Sequence, residues 1–197
     1  MGAAEDTNEN KSPKMRGFPS RYKNAPECVG DGWWGHYKAA IPIVDSGGIV
    51  VLYGGHGTGK TRMAQKLASA AKPPNRSYKV FGVSKDVYPV YTTAVNLFMQ
   101  IRDTYRRDSE MSEKQLLDSY CEASVLVIDE IQERGETQFE DRKLTQIVDA
   151  RYQHEKPTIL ISNYNREQFA KALSPAILDR IRENGIGLHF DWPSYRR

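Results

Sequence analysis

Residues 48–68, GIVVLYGGHGTGKTRMAQKLA, pass from an apolar run through a glycine-rich turn into a helix-like segment. Gly54, Gly59, Lys60 and Thr61 satisfy GxxxxGK[ST], with the strand before and the helix after that this motif requires. Glycines at 54, 55, 57 and 59 let backbone N–H groups turn toward phosphates, and the helix N-terminus adds its positive end. Gly55, His56, Gly57, Thr58, Gly59, Lys60, Thr61 and Arg62 are therefore the candidate nucleotide contacts. Within them Lys60 is expected on the β/γ-phosphates, Thr61 on Mg²⁺, and His56 as a loop residue rather than a catalyst.

A second motif lies downstream. In ASVLVIDEIQ, residues 123–132, an apolar run ends in Asp129-Glu130, which puts two carboxylates at the carboxyl end of a buried strand, where open α/β sheets bind ligands. Asp129 is expected on the metal, and Glu130 to polarise an attacking water, which points to hydrolysis rather than transfer to a bound acceptor. At the end of the next apolar run, TILISNYN (158–165), Asn163 stands where it can orient that water or serve as a turn residue.

Around these motifs the chain alternates. Apolar runs at 49–53, 79–83, 125–128, 158–162 and 187–190 are separated by helix-like segments, indicating a parallel α/β sheet covered on both faces. Ala94, Leu97, Phe98, Ile101 and Tyr105 share one helical face. Ser112 with Gln115 forms a capping-box pair, and Ser174-Pro175 reads as an N-cap followed by proline at the first helical position, with Gly185 as the stop.

Composition narrows the setting. The 197 residues suit a single domain, and 28 Lys+Arg against 25 Asp+Glu give a net charge of +3, so contact with nucleic acid needs a local patch. Cys28 and Cys121 have no metal-ligand spacing, which fits a reducing, cytoplasmic setting. No apolar run is long enough for a membrane span, and residues 1–14 lack the apolar stretch of a signal peptide. Residues 1–20 are polar and read as a disordered tail, with folding onto the domain beginning near Trp33, Trp34 and Tyr37.

The succession of phosphate loop, Asp-Glu and Asn, then LSPAILDRI (173–181) and FDWPSYRR (190–197), resembles the AAA+ ATPases, and among them the DnaC/DnaI-type replicative helicase loaders. The likeness extends through residues 99–131 and 176–196, and SRYKNA (20–25) is similar to the segment that borders the loaders' adenine pocket. It implies one AAA+ domain over 21–197, with strand order 5-1-4-3-2, helices on both faces and, with only seven residues after Phe190, no C-terminal helical lid.

It also implies roles. Arg180 matches the arginine finger that reaches a neighbouring subunit's γ-phosphate, although a helix-surface arginine paired with a carboxylate has the same sequence signature. Arg196, with Arg197 beside it, matches the sensor-2 arginine. Loaders hold single-stranded DNA on a helical segment that falls here at about 87–107. Arg102, Tyr105, Arg106 and Arg107 combine cations with a ring that can stack on a base, while Tyr105 also continues the apolar stripe. QERGETQFED (132–141) matches a second contact region, making Arg134, Thr137 and Phe139 candidates, the last equally a helix-start packing residue. The implied partners are ATP with Mg²⁺, single-stranded DNA, further copies of the chain in an ATP-dependent oligomer, and a replicative hexameric helicase, for which Trp33 and Trp34 are possible anchors. Alternatives are an IstB-type transposition ATPase acting on duplex DNA and a small-molecule P-loop kinase.

Overall fold

The computed structural model describes residues 15–22, 30–72, 77–80 and 83–195. In chain order the elements are α1 (Asp31–Asp45), β1 (Ile49–Gly54), α2 (Lys60–Ala70), β2 (Ser77–Val80), β3 (Val83–Asp86), β4 (Val90–Thr93), α3 (Ala94–Asp103), α4 (Glu113–Glu122), β5 (Leu126–Asp129), α5 (Gln138–Gln153), β6 (Thr158–Ser162), α6 (Arg166–Ala172), α7 (Pro175–Asn184) and β7 (Gly185–Phe190). Single 3-10 turns cover Ser20–Tyr22 and Ile131–Glu133.

The main sheet has five strands in the order β4-β5-β6-β1-β7, all paired in parallel. Counting only those strands along the chain, this is 2-3-4-1-5, the expected 5-1-4-3-2 read from the other edge. Alternation along each strand divides the apolar residues between two cores. Ile49, Val51, Leu126, Ile128 and Leu160 face the layer of α3, α4, α5, α6 and α7. Val50, Leu52, Val127, Ile159, Ile161 and Phe190 face α1 and α2. Strands buried on both faces explain why they read as continuous apolar runs.

Two expectations are corrected. Residues 79–83 do not supply a strand of the main sheet: β2 and β3 pair antiparallel as a separate two-stranded sheet, and β4 is the edge strand instead. Nor does the polar tail extend to residue 20. Arg16 bridges in parallel to Val90, and Phe18 is buried, so residues 15–18 form a strap along β4. That strap adds backbone pairing where an edge strand would otherwise offer bare N–H and C=O groups. Residues 1–14 lie outside the described residues.

Local capping follows the sequence. Thr93 caps α3, Ser112 and Gln115 make the capping box of α4, and the Ser174 hydroxyl accepts the Ile177 N–H at 3.4 Å. Because α3 ends at Asp103, the stripe through Leu97, Phe98 and Ile101 stops before Tyr105, which is 58% exposed rather than in the core.

On the α5 side, Arg151 is fully buried, and among the described residues no carboxylate is bonded to it. Its guanidinium donates to the carbonyls of Tyr120 (2.8 Å), Cys121 (3.1 Å), Ala123 (2.8 Å) and Pro157 (2.6 Å), and to the Thr158 hydroxyl (3.0 Å). Three of those carbonyls belong to the end of α4, whose negative dipole end complements the cation. The side chain thereby ties α4, α5 and the start of β6 together.

Candidate functional site

The parallel sheet brings the carboxyl ends of β1, β5 and β6 to one edge. The phosphate loop follows β1 and feeds directly into α2, whose N-cap, Gly59, has φ +89°. Glycine is required at that turn: the conformation is left-handed, and a Cβ would lie 3.2 Å from the Trp33 indole nitrogen. The Lys60 ammonium is buried in the loop and donates to the carbonyls of Gly54 (2.8 Å) and Gly55 (2.6 Å). Polar contacts from outside hold the loop's far side. Trp33 Nε1 donates to Gly59 O (3.3 Å), Trp192 Nε1 to Thr58 O (3.1 Å), and the Tyr195 N–H to Gly57 O (2.9 Å). With these carbonyls engaged outward, the loop is suited to present its N–H groups to an anion.

Trp33, considered as an anchor for a partner, is instead buried beneath the phosphate loop and packed edge-on to Trp34 at 5.2 Å. Nothing in a Trp-Trp pair distinguishes those two uses. Trp192 and Tyr195 carry no local signal of their roles, because their contacts cross 134 and 138 positions of the chain, from 58 and 57 respectively.

Asp129, at the end of β5, is buried and fully engaged. Its Oδ2 accepts the Thr61 hydroxyl at 2.7 Å and the Tyr91 hydroxyl at 2.9 Å, and its Oδ1 accepts the Glu130 N–H at 2.7 Å. A hydroxyl and a carboxylate brought this close are hard oxygen donors of the kind Mg²⁺ takes, alongside substrate phosphates. Thr61 and Asp129 therefore fit the residues expected to hold the ion. When bound, Mg²⁺ would neutralise phosphate charge.

Glu130 has a left-handed backbone, φ 57° and ψ 46°, and an exposed side chain. A non-glycine residue there carries strain of order 1–3 kcal/mol, which surrounding structure must hold in place. Partial burial pushes the Glu130 carboxyl above the usual carboxylate range, reinforced by Asp129 and Glu133 and opposed by Arg21 and His56. A raised carboxyl pKa is what a proton acceptor near neutrality needs.

Asn163 follows β6, and its backbone N–H donates to Gln132 Oε1 at 3.0 Å. The Ser162 hydroxyl donates to the same oxygen at 3.1 Å. Gln132, unremarked in the sequence, thus joins the segment after Asp-Glu to the end of the neighbouring strand. Its position two residues beyond Glu130 was the available signal. Arg180 lies on α7, half-buried, where its Nε stands 3.4 Å from Asp149 and its guanidinium 5.0 Å from the Tyr152 ring. The expected Arg196 lies outside the described residues.

The two segments expected to contact DNA meet in space. The end of α3 and the start of α5 are joined by Arg102 to Glu140 at 2.8 Å and by Tyr105 against Phe139, with ring centroids 6.3 Å apart. Arg102, Tyr105 and Arg106 all present exposed side chains, although Arg106 also pairs with Asp103 at 3.4 Å. Phe139 is half-buried and packs on the core as well as on Tyr105. One candidate is corrected. The Arg134 side chain is buried and donates to Asp141 at 2.6 Å, which removes it from reach of a phosphate. Thr137 is the N-cap of α5, its hydroxyl accepting the Glu140 N–H at 3.3 Å, and it remains exposed beside Phe139.

Fold and site together define a P-loop nucleotide-binding protein of the AAA+ class. The model of the family described as IstB-like ATP binding protein matches residues 38–197, and the chain belongs to this IstB/DnaC-like, ATP-binding family. It is 31% identical over 147 residues to the replicative helicase loader DnaC of Escherichia coli strain K12, covering 74% of this chain and 55% of that one. The chain thus spans about half the length of the curated relatives it matches. Among solved structures, that of the DnaC helicase loader superposes with a TM-score of 0.66 at 18% identity, covering 87% of this chain and 99% of the other. The replication initiator DnaA, solved with AMPPCP and single-stranded DNA, gives 0.66 at 20% identity over 89% of this chain and 51% of its own. Among the described residues no helix is long and apolar enough to cross a membrane.

Proposed function

We propose that the protein is an ATP-dependent helicase loader: it assembles through shared ATP sites, holds single-stranded DNA and helps place a replicative hexameric helicase. The observation that carries this reading is the 31% identity to DnaC, which extends over 147 residues rather than over the nucleotide motifs alone. Lys60 binds the β/γ-phosphates, Thr61 and Asp129 hold Mg²⁺, Glu130 polarises water for hydrolysis to ADP and phosphate, and Asn163 orients that water. Arg196 senses nucleotide within its own subunit. Arg180 acts on the neighbour's nucleotide after leaving its contact with Asp149. The family model's IstB-like description supports a second reading, a transposition accessory ATPase acting on duplex DNA. Selective binding of double-stranded over single-stranded oligonucleotides would favour it.

If sites are shared, Arg180→Ala and Glu130→Ala proteins, each inactive alone, recover ATPase activity when mixed. No recovery at any ratio rejects trans action. The exposed Tyr105 gives a test of the DNA surface. Tyr105→Ala is expected to weaken single-strand binding by about 1–3 kcal/mol, the range for one base–aromatic stack, while leaving thermal stability nearly unchanged. Unchanged affinity in a titration would remove Tyr105 from that surface.

A further inference from the structure

Both oxygens of Asp129 are fixed, and not by the nucleotide motifs alone. Thr61 and the Glu130 N–H come from those motifs, but the third donor, the Tyr91 hydroxyl, comes from β4 and meets the same oxygen as Thr61. Tyr91 is in turn gripped by the strap. Its N–H donates to Arg16 O at 2.9 Å, and the Phe18 ring lies against its ring at 5.4 Å between centroids. Between those contacts Gly17 has φ +79°, and a Cβ there would fall 2.2 Å from Tyr91 O. No side chain fits while the strap stays in register.

We propose that Tyr91 is a positioning residue for the Asp129 carboxylate, and that the strap of residues 15–18 sets its placement, so that the N-terminal segment tunes the grip on the metal–nucleotide complex. This rests on the reading of Thr61 and Asp129 as metal-holding residues. A hydroxyl bonded to Oδ2 fixes the carboxylate's rotation, as outer partners of metal ligands do. Displacing the strap shifts the Tyr91 backbone and ring together, because both are held by it. The strap thereby gives anything that engages the N-terminal segment a mechanical path to the ATP site without contact with nucleotide.

The test is binding of a fluorescent ADP analogue, titrated with Mg²⁺ and compared with binding in EDTA. For Tyr91→Phe, which keeps the ring, the half-saturating Mg²⁺ concentration is expected to rise about tenfold, the lower end for loss of an outer-shell partner. Binding in EDTA stays as in the parent. Gly17→Ala, or Phe18→Ala if the former folds poorly, shifts Mg²⁺ dependence the same way, and combining it with Tyr91→Phe adds no further shift. A merely structural strap would lower stability without moving Mg²⁺ dependence. An unchanged Mg²⁺ dependence in folded Tyr91→Phe, or full additivity in the double variant, overturns the proposal. A parent protein that binds the analogue identically with and without Mg²⁺ overturns the metal-site reading itself.

Discussion

Replacing Arg151 with methionine is expected to lower the unfolding free energy by at least about 3 kcal/mol, since each buried acceptor left unpaired costs roughly 1–3 kcal/mol. Four backbone carbonyls and the Thr158 hydroxyl depend on this guanidinium. Burial pulls its pKa below the usual arginine value, but the group remains a cation at neutral pH, satisfied by carbonyl dipoles instead of a counter-ion. Methionine restores much of the volume and none of the donors. In a domain of this size the loss corresponds to a fall in Tm of about 6–12 °C at roughly 2–4 °C per kcal/mol. Arg151→Lys should remain well short of the parent, because an ammonium has three donors and no planar fork to span acceptors on α4 and before β6. A melting temperature within a degree or so of the parent for Arg151→Met would show that water replaces the guanidinium.

Glu130→Gln is expected to reduce ATP hydrolysis by about 10²–10⁴-fold, the range for loss of a general base, while preserving nucleotide binding. Retained binding separates it from substitutions in the phosphate loop. The pH dependence has a definite sign. Glu130's carboxyl sits above its usual range in the folded protein, so hydrolysis falls on acidification sooner than an ordinary carboxylate would allow. For stability the same shift is unfavourable: as pH rises from the ordinary carboxylate value through the raised one, the folded state loses stability, and the penalty is complete above it. Glutamine removes that penalty, so Glu130→Gln should melt no lower than the parent at neutral pH. A large drop in Tm, or hydrolysis near the parental rate, contradicts the assignment of Glu130 as the base.

What could be read from the chain, and what could not, divides along physical lines. The phosphate loop, Asp129-Glu130 and the strand at 158–162 were legible because buried parallel strands are continuous apolar runs and the motif residues follow them directly. The edge strand was misplaced because VYTT (90–93) runs straight into the apolar face of α3, whereas residues 79–83 stand out between polar neighbours. Helix α1 was hidden by Gly32, Gly35 and Pro42, residues that usually interrupt helices but are accommodated here. The roles of Arg134 and Arg151 were illegible, since a buried arginine and a solvated one occupy identical helical or loop patterns. Gln132, Tyr91 and Trp192 act through contacts 31, 38 and 134 positions away in the chain, which local pattern does not encode.

These distant contacts all converge on one edge of the sheet. Tyr91 reaches Asp129, Gln132 links the Asp-Glu segment to Asn163, and Trp33 and Trp192 support the phosphate loop. The nucleotide site is thus tied to the N-terminal strap, to the strand carrying Asn163 and to the segment after β7. Such ties are what a protein needs if nucleotide state is to be read elsewhere in an assembly.

The most direct test of the loader account is the ATPase rate measured without DNA, with single-stranded and with double-stranded oligonucleotides, beside the protein's size in ATP and in ADP. Single-strand-selective change in turnover together with a larger species in ATP is the predicted result. Turnover indifferent to DNA in a protein that remains a monomer in ATP would contradict it.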